Sequence, residues 1–132
     1  MKQTPAPPQF LNVDLEVVSK TDLAPFVKSF GSRKVSVLYC DRQEDGFLAA
    51  LELSTARRTP EQLLSRFCDL LEAMPSEAAK LWRNARQRIF DIGIESGRAQ
   101  PPLAVKISPA TLARITALGA TVAVTIYPPF SR

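Results

Sequence analysis

Residues 10–17, Phe10-Leu11-Asn12-Val13-Asp14-Leu15-Glu16-Val17, decide the fold class. Leu11, Val13, Leu15 and Val17 alternate with Asn12, Asp14 and Glu16. Successive side chains of a strand point to opposite faces, so this alternation predicts a strand with one dry and one wet side. A strand of that kind belongs to a sheet whose other face is covered, and the remaining segments supply the cover.

Working outward, Met1 to Gln9 carries three prolines and no periodicity, which predicts a flexible leader over residues 1–9 and a single α+β domain over residues 10–130. After the first strand, Thr21 and Asp22 are cap-type residues. Leu23, Phe26, Val27 and Phe30 then fall at helical spacing, and Gly31 supplies a left-handed stop, predicting a helix of about nine residues. Val35, Val37 and Tyr39 give a second strand. Asp41 to Gly46 reads as a loop longer than a two-residue turn, and Phe47, Ala49, Leu51 and Leu53 give a third strand. In Thr59-Pro60-Glu61-Gln62 a threonine can cap, a proline fits the first helical position and a glutamine can close a capping box. Leu63, Phe67, Leu70, Leu71 and Met74 continue it as one apolar helical face. A shorter helix follows Pro75, with Ala78, Leu81, Trp82 and Ala85 on its buried stripe. Phe90, Ile92 and Ile94 then predict a fourth strand and Leu103, Val105 and Ile107 a fifth. Ser108-Pro109 opens a helix that Gly119 stops, and Val122, Val124 and Ile126 predict a sixth strand.

The predicted order is therefore βαββααββαβ. Its first part matches a ferredoxin-like sandwich, here extended into a mixed sheet of five or six strands with helices mainly on one face. Residues 11–39 and 103–127 both run strand, capped helix, glycine stop, strand ending in tyrosine, an echo that reads as two similar βαβ units. On the wet side, Leu38, Leu48 and Ala50 add apolar character and leave room for a homodimer through the open sheet face.

Composition narrows the chemistry. Of 132 residues 45% are hydrophobic and 23% charged, which places the chain among globular domains. No apolar run approaches the roughly 20 residues of a membrane span, and residues 1–8 lack an apolar signal core, so the expected location is cytoplasmic with no membrane partner. There is no histidine, which removes Ser-His and Cys-His nucleophile pairs and the commonest metal ligand. Cys40 and Cys68 read as small core residues. The five glycines never come closer than four apart, so no phosphate-cradling loop exists. No cofactor and no metal site is expected, and no catalytic residue is assigned.

Two constellations remain. Asp14 and Glu16 share the polar side of the first strand, and Asp91 and Glu95 that of the fourth. If these strands are neighbours the acids converge, and crowding or burial could fit them for ligand binding or acid–base work. Otherwise they are solvated residues of an open face. The net charge of +4 is uneven: residues 1–54 hold six Lys/Arg against seven Asp/Glu, and residues 55–132 hold eleven against six. Arg57 and Arg58 precede the longer helix, and Lys80, Arg83, Arg86 and Arg88 cluster after it. Arg57, Arg58, Lys80 and Arg83 are the residues a weak nucleic-acid-binding surface would use. Periodicity opposes that reading, because Trp82 falls on the buried stripe instead of forming a stacking platform.

The C-terminal third resembles a family of bacterial domains of unknown function whose members end in a Ser/Pro-initiated helix, a Leu-Gly-Ala stop and a strand closing on Ile-Tyr. Here these are Ser108, Pro109, Leu112, Leu118, Gly119, Ala120, Ile126 and Tyr127. The helix pair and the strand at Phe90 to Glu95 that precede them fall in similar positions, so the likeness extends over about half the chain and rests mainly on turn and core residues. Thr125 stands where the family usually has an aspartate, and the family's N-terminal Leu-Gly-x-x-Pro element is missing, Phe30-Gly31 being its nearest approach. The resemblance implies a small stand-alone bacterial protein that binds a partner protein, and it carries over no catalytic residue.

The sequence thus supports a non-enzymatic interaction module with a protein partner and leans away from an enzyme. The alternative is a small-ligand binder or enzyme using the sheet-face carboxylates with Tyr39, Tyr127 or an arginine. A pocket lined by Asp14, Glu16, Asp91 or Glu95 would favour that alternative.

Overall fold

A computed structural model describes residues 4–31 and 35–129 of the chain. Among the described residues the elements are β1 (Gln9–Ser19), α1 (Ala24–Lys28), β2 (Val35–Gln43), β3 (Gly46–Leu53), α2 (Pro60–Glu72), α3 (Ser76–Arg83), β4 (Gln87–Glu95), α4 (Pro109–Ala117) and β5 (Thr121–Tyr127). The protein is α+β, with one mixed sheet of five strands in the order β2-β3-β1-β4-β5. β1 is antiparallel to both β3 and β4, β2 is antiparallel to β3, and β4 is parallel to β5. Residues 1–3 of the expected leader and residues 32–34 and 130 of the expected domain lie outside the described residues. Ahead of β1, the Ala6 carbonyl accepts a 2.8 Å hydrogen bond from the Arg98 amide.

The alternation that opens the chain is realised at the centre of the sheet. Val13, Leu15 and Val17 are buried, as are Ala49, Leu51 and Leu53 of β3 and Phe90 and Ile92 of β4. They join one core with Phe26, Leu63, Leu64, Phe67, Leu70, Leu71 and Trp82 from the helices. Burying each of the larger side chains contributes roughly 1.5–3 kcal/mol. The Thr59 capping box forms in full: Thr59 Oγ1 accepts from the Gln62 amide at 3.2 Å, and Gln62 Oε1 accepts from the Thr59 amide at 2.9 Å.

Three expectations are corrected. Leu103 to Ile107 is not a strand; the segment runs to α4 without joining the sheet, so the order is βαββααβαβ. Val105 and Ile107 still pack against the core while Leu103 is exposed. Their alternation therefore records one-sided packing of a connection, and the second unit of the supposed echo lacks its first strand. The turn between β2 and β3 is also shorter than expected, because Gln43 pairs with Gly46. Arg42 keeps the ladder going, with its guanidinium 5.4 Å from the centre of the Phe47 ring on the facing strand. Finally, α1 has five residues instead of about nine, ending where the Ser29 hydroxyl donates to the Phe26 carbonyl at 2.6 Å.

Two arginines of the basic stretch are used inside the fold. Arg88 is half-buried, and its Nη1 donates to the carbonyls of Trp82, Arg83 and Ala85 at 2.9, 3.2 and 3.0 Å. Its Nε donates to the Gly119 carbonyl at 3.0 Å. One guanidinium thus gathers the carbonyls at the end of α3 and ties them to the turn after α4. Gly119 has φ +70, and a Cβ there would stand 3.1 Å from Arg88 Nη2, so both backbone and neighbour call for glycine. Trp82 is buried between these ends, stacked on Phe26 at 6.0 Å, and its Nε1 donates to the Leu118 carbonyl at 2.9 Å. Arg86 Nη2 donates to the Asp45 carbonyl at 2.7 Å. Replacement of Arg88 by alanine is expected to cost about 2–3 kcal/mol in urea unfolding, whereas Arg83→Ala stays within about 0.5 kcal/mol. Equal losses would show that Arg88 does not clamp the helix ends.

Candidate functional site

The central position of β1 brings acids together on the face opposite the core. Asp14 pairs in register with Glu52 of β3 on one side and with Asp91 of β4 on the other. Glu16 lies two residues along the same face of β1. Asn12 bridges the first pair: its Nδ2 donates to Asp14 Oδ1 at 3.1 Å and to Glu52 Oε2 at 2.9 Å. Thr125 of β5 donates from Oγ1 to Asp91 Oδ1 at 2.8 Å. Gly93 makes room for this arrangement, since a Cβ there would lie 2.6 Å from Asn12 Oδ1 and 3.6 Å from the Tyr127 ring.

Burial pushes the Asp14 carboxyl from its ordinary 3.8 up to about 7. The negative charge of Glu52, a hydrogen bond with it, and the charges of Asp91 and Glu16 push the same way. Asp14 therefore exchanges a proton near neutral pH, the range in which a carboxyl can serve as acid or base.

Of the four acids singled out in the sequence, the structure gathers Asp14, Glu16 and Asp91. Glu95 lies four residues beyond Asp91, beside Gln9 and Tyr127, about 13 Å away along the strand. Glu52 and Asn12 belong to the cluster and were missed. The facing of Glu52 is readable from the alternation of Leu51 and Leu53 and that of Asn12 from Leu11 and Val13, but which strand lies beside β1 is not. Among the described residues no group of three or more His, Cys, Asp or Glu could hold a metal ion.

Three clefts among the described residues leave these acids untouched. One of about 640 Å³ is lined by Arg57, Arg58, Arg66 and Gln62 with Glu61 and Asp69. A second, of about 600 Å³, lies against Lys20, Pro25, Glu77, Lys80 and Leu81. The third runs along the β2–β3 turn. Arg57 and Arg58 therefore face one cleft and Lys80 another, while Arg83 lines none of the three.

The cysteines are not activated. Burial pushes the Cys68 thiol up to about 11, and burial together with the charges of Asp22 and Asp41 raises that of Cys40. No helix among the described residues is long and apolar enough to cross a membrane. No family model, curated protein or solved structure matches the chain.

Because the folded-state pKa of Asp14 is raised, the native protein keeps a proton that the unfolded chain releases. The stability this gives is complete below pH 3.8 and is lost as the pH rises through about 7. Asp14→Asn removes the ionisation while leaving a group of the same shape. It is expected to match the parent at pH 3.5 and to be more stable by about 1–2 kcal/mol at pH 8, after allowance for solvent screening. Urea midpoints measured at both values check this, and a gap of equal size at both would contradict the buried proton.

Proposed function

We propose that the protein is a non-enzymatic protein-interaction module that holds its partners along the edges of its sheet. One observation carries the reading. Of the eight exposed large hydrophobic residues among the described residues, six lie on the two edge strands: Val37, Leu38 and Tyr39 on β2, and Val124, Ile126 and Tyr127 on β5. An edge strand presents unpaired amides and carbonyls, and apolar side chains beside them are what an added strand uses.

The β4-β1-β3-β2 part of the sheet, antiparallel throughout, supports a ferredoxin-like sandwich extended by β5. Membership of the bacterial family that the C-terminal third resembles is part of the same proposal. Of the residues that carry the resemblance, Ser108 caps α4 and Gly119 stands at positive φ after it. A cytoplasmic location agrees with it.

A second reading, a small-ligand binder on the sheet-face carboxylates, draws on the Asp14 proton near neutral pH. Selection of binders from a random displayed-peptide library separates the two. The expected ligands have alternating apolar residues, protect β2 or β5 amides from hydrogen exchange, and bind at least tenfold more weakly after Leu38→Lys or Val124→Lys. Ligands that leave both edges unprotected and shift Asp14 and Asp91 instead would overturn the interaction-module reading.

A further inference from the structure

The two edges differ in a way that identifies one occupant. β5 reads Thr121-Val122-Ala123-Val124-Thr125-Ile126-Tyr127 and contains none of the chain's 17 Lys/Arg or 13 Asp/Glu residues. It has no proline and no irregularity in its register with β4. Natural sheets guard such edges with charge, proline, bulges or cover. β2 is guarded in this way, since its pairing shifts between Val37 and Tyr39 and it carries Asp41 and Arg42. β5 is not, and its side chains remain open to solvent at 55% for Val124, 65% for Ile126 and 47% for Tyr127.

Ile92 pairs with Val124 and Ile94 with Ile126, so these two side chains lie on the face that carries the core. Of the three apolar residues on that side of β5, only Val122 packs against the core.

We infer that β5 is the seat of a symmetric dimer, in which β5 of a second copy of this chain pairs antiparallel with it about a two-fold axis at Val124. This rests on reading the sheet edges as contact surfaces. The sequence of the strand is what selects a second copy. Reversed on itself about Val124, the strand sets Val122 against Ile126 and Val124 against Val124 on the core side. On the other side Thr121 meets Tyr127 and Ala123 meets Thr125. On the core side every side chain meets an apolar one, no charge meets a like charge on either side, and the residues on each face stay together, as a two-fold interface requires. A basic or acidic partner would find no counter-charge on this strand. Pairing would join the two sheets edge to edge and cover Val124 and Ile126. The open face with Asp14 and Glu52, and β2 with Leu38, would stay free for other partners.

The test uses the full chain. Sedimentation equilibrium is expected to give roughly twice the 14.5 kDa chain mass, falling to a single chain in Val124→Lys and unchanged in Leu38→Lys. Register is read separately in a Cys40→Ser background. Val124→Cys places two thiols directly opposite across the axis, within disulfide reach, and is expected to cross-link on mild oxidation. Ile126→Cys faces Val122 of the other copy and is expected not to.

A single-chain mass at millimolar concentration, a dimer that survives Val124→Lys, or equal cross-linking at both positions would each overturn the inference. If the parent is monomeric while selected peptides still protect edge amides, only the second copy is excluded. If neither pairing occurs, the edge reading fails with it.

Discussion

The structure depends on β1 being flanked by strands on both sides while only one of its faces is covered. A central strand cannot turn its wet side chains away, because neighbours at about 4.8 Å stand on either hand. Val13, Leu15 and Val17 therefore go into the core completely, and Asn12, Asp14 and Glu16 are held in a row between β3 and β4. The same geometry that builds the core crowds Asp14 against Glu52 and Asp91 and raises its affinity for a proton. The raised carboxyl is thus a consequence of topology before it is a sign of chemistry. Asn12 donating to both Asp14 and Glu52 is how the fold contains the repulsion.

The far side of the sheet is held by different means. The chain from Ser96 to Ser108 is not part of the sheet, so α4 must be fixed from above. Two polar clasps to α2 do this. The Glu61 carboxylate accepts hydrogen bonds from the Ser108 amide and hydroxyl and from the Thr111 hydroxyl, which hold its pKa below the usual range. Arg114 donates to Glu72 and Asp69 and reaches Ser65, and its bonds hold the Glu72 carboxylate low as well. Glu61 sits in the first turn of α2, where the helix dipole also favours a negative charge. Its role in the cleft beside Arg57 and Arg58 is therefore to join two helices, and Asp69 serves the same end.

Much of this was legible in the sequence where a local rule and the global fold agree. The alternation at 10–17, the capping box at 59–62, the serine-proline start of α4 and the glycine stop at Gly119 all state locally what the fold requires. Legibility ended where a pattern has two physical causes. Val105 and Ile107 alternate with polar residues because one side of a connection packs on the core, and a strand would leave the same trace. Arg86 and Arg88 look like free surface charge until the carbonyls of the β2–β3 turn and of the α3 end are placed beside them. The acid cluster was half legible, since the facing of each residue follows from alternation but the order of strands does not. Glu52 was missed for that reason, and Glu95 was included although β4 carries it past the end of the cluster.

Edge position is the property the sequence conceals most completely, and it is the one that bears on function. Val122, Val124 and Ile126 read as a strand, and apolar alternation of that kind normally means burial. In the structure β5 is the last strand of the sheet and only the first of the three is packed. An edge that one lysine in place of a valine would guard is left without a charge over seven residues. The opposite edge shows that the fold tolerates protection, since β2 accommodates a bulge, Asp41 and Arg42 without losing its pairing to β3. Exposure on β5 is therefore not forced by the architecture. An uncharged strand that is nearly its own reverse in polarity is a specification for contact, and the contact it specifies is with itself.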